Sequence, residues 1–410
     1  MPRIVISTVG VRGDLNPFIA IAHGLMTRGH DVVFAVEPAL EATVVTEGFE
    51  SRRLTGDVFA ALSPHLDAIV GGLTPMASLR PIVKHWLTSE LATKVEDLTA
   101  ACVGADLLVA RAGHLAAPPT AERLRIPWVQ VTMTALTIPS EHADPGLLPF
   151  SFVRAPRIVN RAGWALVELA TRRLADAPVN EVRRALGLPP AHNLMGRGGH
   201  SRHLTAVVIS PAVSPPRPDW PDYVKTTGYC FWDVPSDWRE DEDLTRFLER
   251  PGPVIAVSFG SIAPFVGSIL GPLYEVAVDA VLAAGARALV VGGPSSAGDN
   301  VFMVPFAPFS RVYPRCAAAI HHGGPYTVGE AMRAGIPSLA VPWGIDQFFT
   351  AGQLRVSGAG RSRHRRWFTR GHARRDVKSL LQESKYRRHA KARAASIARE
   401  MGSAQSAPPS

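Results

Sequence analysis

The chain has 410 residues, enough at roughly 100–200 residues per domain for two or three domains. It is 46% hydrophobic and 19% charged, with 35 Gly and 35 Pro, which excludes disorder throughout and any collagen-like period. Its net charge is +9, but residues 361–393 hold 13 Lys or Arg against two acids, a local +11, so the remaining body stands at −2 and shows no general nucleic-acid character.

Residues 3–9 are β-branched and continuous, as in a strand buried on both faces. Gly10–Asp14 reads as a loop, with Pro17 suited to a first helical turn and Phe18, Ile21, Ala22 and Leu25 at helical spacing. Gly29 ends that helix, and residues 31–36 form the next strand, parallel to the first through a right-handed crossover. Further strands are predicted at 105–110, 128–132 and 206–210, with long helical patterns over 55–100 and 145–200. The proline-rich 211–218 suits neither a helix nor a central strand and reads as part of a linker. A second alternating set follows, with strands at 254–259, 288–291, 317–321 and 338–341 and helices near 268–284 and 327–334. Two doubly wound α/β domains are the simplest reading. The expected divisions are 1–212, a linker at 213–235, a second domain at 236–375 and a C-terminal helix and tail at 376–410.

The most informative string is His321-His322-Gly323-Gly324-Pro325-Tyr326-Thr327-Val328-Gly329-Glu330. A buried strand delivers a histidine to a glycine pair, and a helix then opens. Free N–H groups and the helix dipole favour a phosphate there, with His322 and Thr327 as side-chain donors and Glu330 as an acceptor for sugar hydroxyls. A Gly-Gly turn with Thr and Glu capping the helix is the plainer account of the same residues. Further on, Asp346-Gln347 follows a Pro-bounded strand and offers a compact acceptor–donor pair for the hydroxyls of one sugar ring; a simple helix start is the alternative.

These strings resemble the family 1 glycosyltransferases, the GT-B enzymes built of two Rossmann-like domains facing across a cleft. His322-Gly323-Gly324 through Glu330, then Asp346-Gln347, is similar to that family's nucleotide-sugar signature. Gly10-Val11-Arg12-Gly13-Asp14 and Ser258-Phe259-Gly260-Ser261 resemble the bacterial branch that includes sterol, rhamnolipid and glycopeptide-antibiotic glycosyltransferases. The resemblance implies an inverting transfer of a hexose or deoxyhexose from a UDP- or dTDP-sugar to a hydroxyl of a hydrophobic small molecule. His322 and Thr327 would contact the diphosphate, with Gly260 and Ser261 beside it. Glu330 would hold the ribose, Asp346 and Gln347 the transferred sugar, and Phe306 or Phe309 the nucleobase. Asp14 would be the general base, with helix capping as its plainer role. Pro325-Tyr326 departs from the usual small pair, and Tyr326 would narrow the phosphate site or stack on the donor. A lipid-linked peptidoglycan-type transferase and a donor-binding protein without transfer activity are the alternatives. No metal and no other cofactor is expected, and Asp241-Glu242-Asp243, despite its Asp-x-Asp form, suits a helix N-terminus.

Apolar stretches containing Leu62, Leu66, Ile69 and Val70, and Phe150, Phe152, Val153 and Ile158, suit either an acceptor pocket or ordinary core. The basic C-terminal stretch reads first as a solvated surface, second as a peripheral contact with an anionic membrane, and last as a nucleic-acid site, for which no motif is present. The three cysteines, Cys102, Cys230 and Cys316, are far apart and fit a reducing, cytoplasmic setting. The first apolar run meets Arg12 and Asp14 too soon for a signal peptide, and no run of about 18 apolar residues predicts a membrane span.

Overall fold

Short buried β-branched runs alternate with helices and assemble into two parallel sheets. The computed structural model describes residues 1–72, 75–143, 145–146, 155–261, 267–293 and 298–406. The chain divides into two units, the first running to Cys230 and the second starting at Phe231.

The first unit holds β1 (Arg3–Thr8), β2 (Asp31–Val36), β3 (Glu50–Arg53), β4 (Leu107–Arg111), β5 (Trp128–Thr132), β6 (Leu204–Val207) and β7 (Val224–Thr226), in the order β3-β2-β1-β4-β5-β6-β7. Every pairing is parallel. β1 lies centrally, with Ile6 level with Phe34 on one side and Val109 on the other. Ile4, Val5 and Ile6 are buried because helices cover both faces of such a sheet.

The second unit holds β8 (Val254–Ser258), β9 (Arg287–Val291), β10 (Val301–Val304), β11 (Ala318–His321), β12 (Ser338–Ala340) and β13 (Gly360–Ser362), in the order β10-β9-β8-β11-β12-β13. Its pairings are parallel too. Counted within each unit, both sheets begin 3-2-1-4-5-6, the order of a dinucleotide-binding fold. Leu289, Ala319, Ala331 and Tyr313 are among the buried residues of one core cluster in this unit.

Nine of these strands match predicted ones; β3, β7, β10 and β13 are additions, and they are the outer strands of the two sheets. β7 lies inside the stretch read as a linker, yet it pairs with β6 and completes the first sheet. The first helix spans Arg12–Thr27, so Pro17 is inside it and not in its first turn. The cause is local: the Val11 carbonyl accepts from the N–H groups of Asp14 and Leu15, which starts the helix at the Gly10–Asp14 loop.

The C-terminal helices, Arg370–Gln382 and Ser384–Ser406, belong with the second unit. The first packs on the Gly267–Ala283 helix and the second on Pro325–Arg333. Part of the basic run is consumed in pairing. Arg361 and Arg363 both engage Asp376, which is 1% exposed, and Arg374 forms a two-point pair with Asp279 at 2.8 Å. Arg366, Arg370, Arg375 and Lys378 lie exposed. Among the described residues, no helix is long and apolar enough to cross a membrane.

Candidate active site

Open parallel sheets bind ligands beyond the carboxyl ends of their strands, where the strand order reverses. In the first unit that point lies between β1 and β4, and in the second between β8 and β11. Of the sequence-predicted residues, His322 directly follows β11, Gly260 lies in the loop after β8, and Asp14 lies in the first turn of the helix that follows β1.

In the second unit, Gly260 has φ +97°, and a Cβ there would lie 3.0 Å from the His322 ring. The ring of His322 therefore rests against the Gly260 backbone, which joins the loops after β8 and β11. Gly323 has φ +89° and sits against the Gln347 carbonyl, which a Cβ would approach to 3.1 Å. These two positions need glycine for both conformation and space. Tyr274 steadies the same loop: its hydroxyl accepts from Phe259 N–H at 2.9 Å and donates to the Gly292 carbonyl at 3.3 Å.

Burial pushes the His322 imidazole down to about 4, against the opposite pull of the Ser258 carbonyl, so it is neutral at pH 7. His321 is fully buried. Its Nδ1 accepts from Gly323 N–H at 3.0 Å, and burial pushes it down to about 3. The next helix, Pro325–Arg333, has Gly324 as N-cap and Pro at its first position. Val328 N–H is its first internal donor, to the Gly324 carbonyl, so the N–H groups of Tyr326 and Thr327 are the open end. Ser261 is exposed and Thr327 buried at this end of the sheet.

Tyr326 behaves differently from the expectation that it narrows a phosphate site or stacks on a donor. Its hydroxyl turns to the start of the unit, donating to the Trp232 carbonyl at 2.9 Å and accepting from Trp232 N–H at 3.0 Å. Glu330 lies beside it, 2% exposed. Burial raises its carboxyl to about 7 despite Arg333, whose guanidinium is 4.0 Å away.

Asp346 and Gln347 are in the first turn of the Ile345–Val356 helix and not in a loop. Gln347 Oε1 accepts from the N–H groups of Trp343 and Gly344, both at 2.9 Å, so its carbonyl caps the helix and only its amide NH₂ faces other work. Phe309 stacks on buried Tyr313 with ring centroids 4.5 Å apart, whereas Phe306 is 36% exposed. Phe309 is thereby committed to packing.

In the first unit, Asp14 is held from two sides. Its Oδ1 receives Arg111 through Nε at 3.0 Å and Nη2 at 2.9 Å, and its Oδ2 accepts from Val11 N–H at 3.0 Å. Helix capping and an ion pair thus coexist in one carboxylate. An ionised carboxylate has about four acceptor positions. Three are filled, which leaves one on Oδ2. The sequence reading missed Arg111; a cation ending the strand beside β1 is the signal that marks it. It also missed two buried polar groups at the same end of the sheet. His114 Nε2 donates to Ser7 Oγ at 2.9 Å, since that hydroxyl itself donates to the Ala35 carbonyl, and burial takes His114 down to about 3. Glu37, fully buried after β2, accepts from Trp86 Nε1 at 2.9 Å and lies 3.8 Å from the Lys94 ammonium.

Asp241 caps the Glu242–Glu249 helix by accepting from Asp243 N–H at 2.7 Å, and Asp243 pairs with Arg246. Leu62, Ile69 and Val70 are buried in core, Ile158 is exposed, and Phe150, Phe152 and Val153 lie outside the described residues.

Two parallel sheets of Rossmann-like order, one ending in an anion-suited helix start and the other followed by a fixed carboxylate, define the class as a two-domain Rossmann-like α/β protein. Comparisons narrow it. Residues 4–138 match the glycosyltransferase family 28 N-terminal domain, and residues 268–408 match the erythromycin biosynthesis protein CIII-like C-terminal domain. The O-mycaminosyltylonolide 6-deoxyallosyltransferase of Streptomyces fradiae is 33% identical over 368 residues, covering 87% of this chain and 84% of that enzyme. A sterol 3-beta-glucosyltransferase of Candida albicans is 30% identical over 382 residues, covering 87% of this chain; the chain spans only 24% of that longer protein. Among solved structures, the glycotransferase of kitacinnamycin has a TM-score of 0.72 at 18% identity, covering 98% of this chain and 96% of that one. The glycosyltransferase VinC in complex with dTDP has a TM-score of 0.65 at 20% identity, covering 97% and 95%. At those identities the structures speak for the fold alone. The chain belongs to the family 1 glycosyltransferases and has their GT-B fold.

Proposed function

We propose that this glycosyltransferase moves a hexose or deoxyhexose from a UDP- or dTDP-sugar to a hydroxyl of a hydrophobic natural product, sterol or lipid, with inversion and without a metal. The observation that carries the reading is the matched pair of switch points: a neutral His322 against Gly260 at an open helix start, and Asp14 fixed by Arg111 after β1. The relatives support the substrate classes, since one is by name a 6-deoxyallosyltransferase of O-mycaminosyltylonolide and others are sterol 3-beta-glucosyltransferases. A structural neighbour holding dTDP supports the donor class.

In this reading the N–H groups of Tyr326 and Thr327, with His322 and Ser261, receive the diphosphate. Glu330 receives the ribose, Phe306 the nucleobase, and Asp346 and the Gln347 amide the sugar. The open position on Asp14 Oδ2 takes the proton of the acceptor hydroxyl as its oxygen attacks the anomeric carbon. The bond to the nucleoside diphosphate breaks on the opposite face, which inverts the centre.

The test is a transfer panel. UDP-glucose, dTDP-glucose and dTDP-deoxysugars are offered with O-mycaminosyltylonolide, a sterol and a broader hydrophobic set, and the anomeric configuration of any product is read by NMR. Asp14→Asn should lower turnover by about 10²-fold or more. Undiminished transfer by that variant would remove Asp14 as base, and a retained anomeric configuration would remove the single displacement.

A further inference from the structure

The segment Phe231-Trp232-Asp233 opens the second unit and is fastened to the helix that carries the donor-site residues. Two side chains of that helix, Tyr326 and Arg333, take part. The Tyr326 hydroxyl closes a ring with both backbone polar groups of Trp232, at 2.9 and 3.0 Å. The Tyr326 ring meets Phe231 edge-on at 6.0 Å, and the Arg333 guanidinium lies over the same Phe231 ring, 4.6 Å from its centroid. Arg333 also pairs with Asp233 at 2.5 Å, while the Asp233 carbonyl accepts from Ser310 Oγ. Glu330 sits between the two fasteners, near Tyr326 on one side and 4.0 Å from Arg333 on the other, and is 2% exposed.

A carboxylate that must accept hydroxyls cannot do so while closed off on both sides. The groups that close it off are the ones that hold the 231–233 segment. The residue that makes the clasp, Tyr326, is also the one that departs from the small residue usual at this point of the helix. Two hydrogen bonds through a single hydroxyl are a small and reversible hold, each worth little net against water.

We propose that Phe231-Trp232-Asp233 is a strap over Glu330 and that Tyr326 is the positioning residue that latches it, so that a nucleoside diphosphate engages Glu330 only when the Tyr326–Trp232 clasp opens. The proposal rests on the reading of Glu330 as the ribose contact. It makes the clasped form the poorer binder, so apparent affinity is reduced by the fraction of protein that is unclasped. The diphosphate moiety alone has no use for Glu330 and should be indifferent to the clasp.

The experiment uses the full chain with UDP, dTDP and inorganic pyrophosphate as probes in calorimetry. Tyr326→Phe keeps the ring against Phe231 and removes only the hydroxyl. It should bind UDP and dTDP about three- to tenfold more tightly than wild type and leave pyrophosphate affinity unchanged. In wild type, saturating dTDP should speed hydrogen exchange at the Trp232 amide, a readout that needs no variant. Equal or weaker nucleotide binding by Tyr326→Phe, a parallel change for pyrophosphate, or a Trp232 amide still protected under saturating dTDP would each overturn the strap while leaving the donor site standing. Absence of binding by wild type to all three probes would overturn the donor reading and the strap with it.

Discussion

Gly324→Ala is the sharpest test of the proposed anion site, because it changes space without changing backbone. Gly324 has φ −57° and ψ 143°, values any residue adopts, so the substitution carries no conformational penalty of its own. Its Cβ would lie 3.1 Å from His322 Cε1 and 3.3 Å from Cδ2, and closer still to Nε2. The Gly260 backbone leaves the ring little room, since even one added methyl there would lie 3.0 Å from it, and relief of the Gly324 clash needs a shift of about 1 Å. Misplacement of that size can cost about 10²-fold in turnover, while overpacking of this kind costs about 1–3 kcal/mol of stability. The assay is donor affinity and turnover for Gly324→Ala, His322→Ala and the double variant. If the ring is what the methyl strikes, the methyl should add little once the ring is gone, and the two changes should be far from additive. Wild-type dTDP affinity in Gly324→Ala, or strict additivity in the double variant, would refute the reasoning.

Arg111→Met should free the Asp14 carboxylate from its fixed orientation, lowering turnover with donor KM little changed; a large rise in donor KM alone would contradict this role. The buried Glu37–Lys94 pair should show strong coupling in urea denaturation: Lys94→Met alone leaves a buried acid unpaired and should cost about 3–5 kcal/mol, whereas Glu37→Leu with Lys94→Met should be much milder. The pH dependence has a definite sign. His114 and His321 at about 3 and His200 at about 4 are depressed from 6.5, so their stabilisation is present above about 6.5 and is lost as pH falls. By pH 5 each should have cost about 2 kcal/mol. Glu330, raised to about 7, works in the opposite sense: its contribution is present below about 4.5 and is lost as pH rises through 7. A melting temperature unchanged between pH 7.5 and pH 5 would contradict the histidine assignment.

What could be read from the sequence follows burial. Central strands such as Asp31–Val36 and Trp128–Thr132 were legible to the residue, because they are rich in β-branched and aromatic side chains. Glu50–Arg53 and Gly360–Ser362 carry charge and glycine at the rim, so their sequences lack that signal although their backbones pair. The site divides similarly. Gly260 and His322 were legible because they follow the ends of buried strands, and Asp14 because it opens the helix after the first one. Arg111, Lys94 and Trp86 were not, because their partners are distant in sequence and only the sheet order brings them together. Tyr326 was flagged as unusual, but its direction toward Trp232 depends on how the chain enters the second unit. The linker reading erred at Val224–Thr226 because proline-rich sequence nearby masked a three-residue strand.

Those same rim strands bear on behaviour at high concentration. An outer strand exposes unpaired backbone donors and acceptors and can recruit the rim of another molecule. Here β3 reads Glu-Ser-Arg-Arg, β7 Val-Lys-Thr and β13 Gly-Arg-Ser, each only three or four residues long. On β13 the arginine is locked onto Asp376 by a helix packed alongside, so the rim is both charged and fenced. On these three rims brevity and charge deny a copy of the chain the flat apolar template that sheet-to-sheet polymerisation requires, whereas the fourth, β10, reads Val-Phe-Met-Val and has only its four-residue length to limit pairing. Arg361, paired with Asp376, thus leaves the β13 rim polar, a poor match for the apolar edge of another sheet.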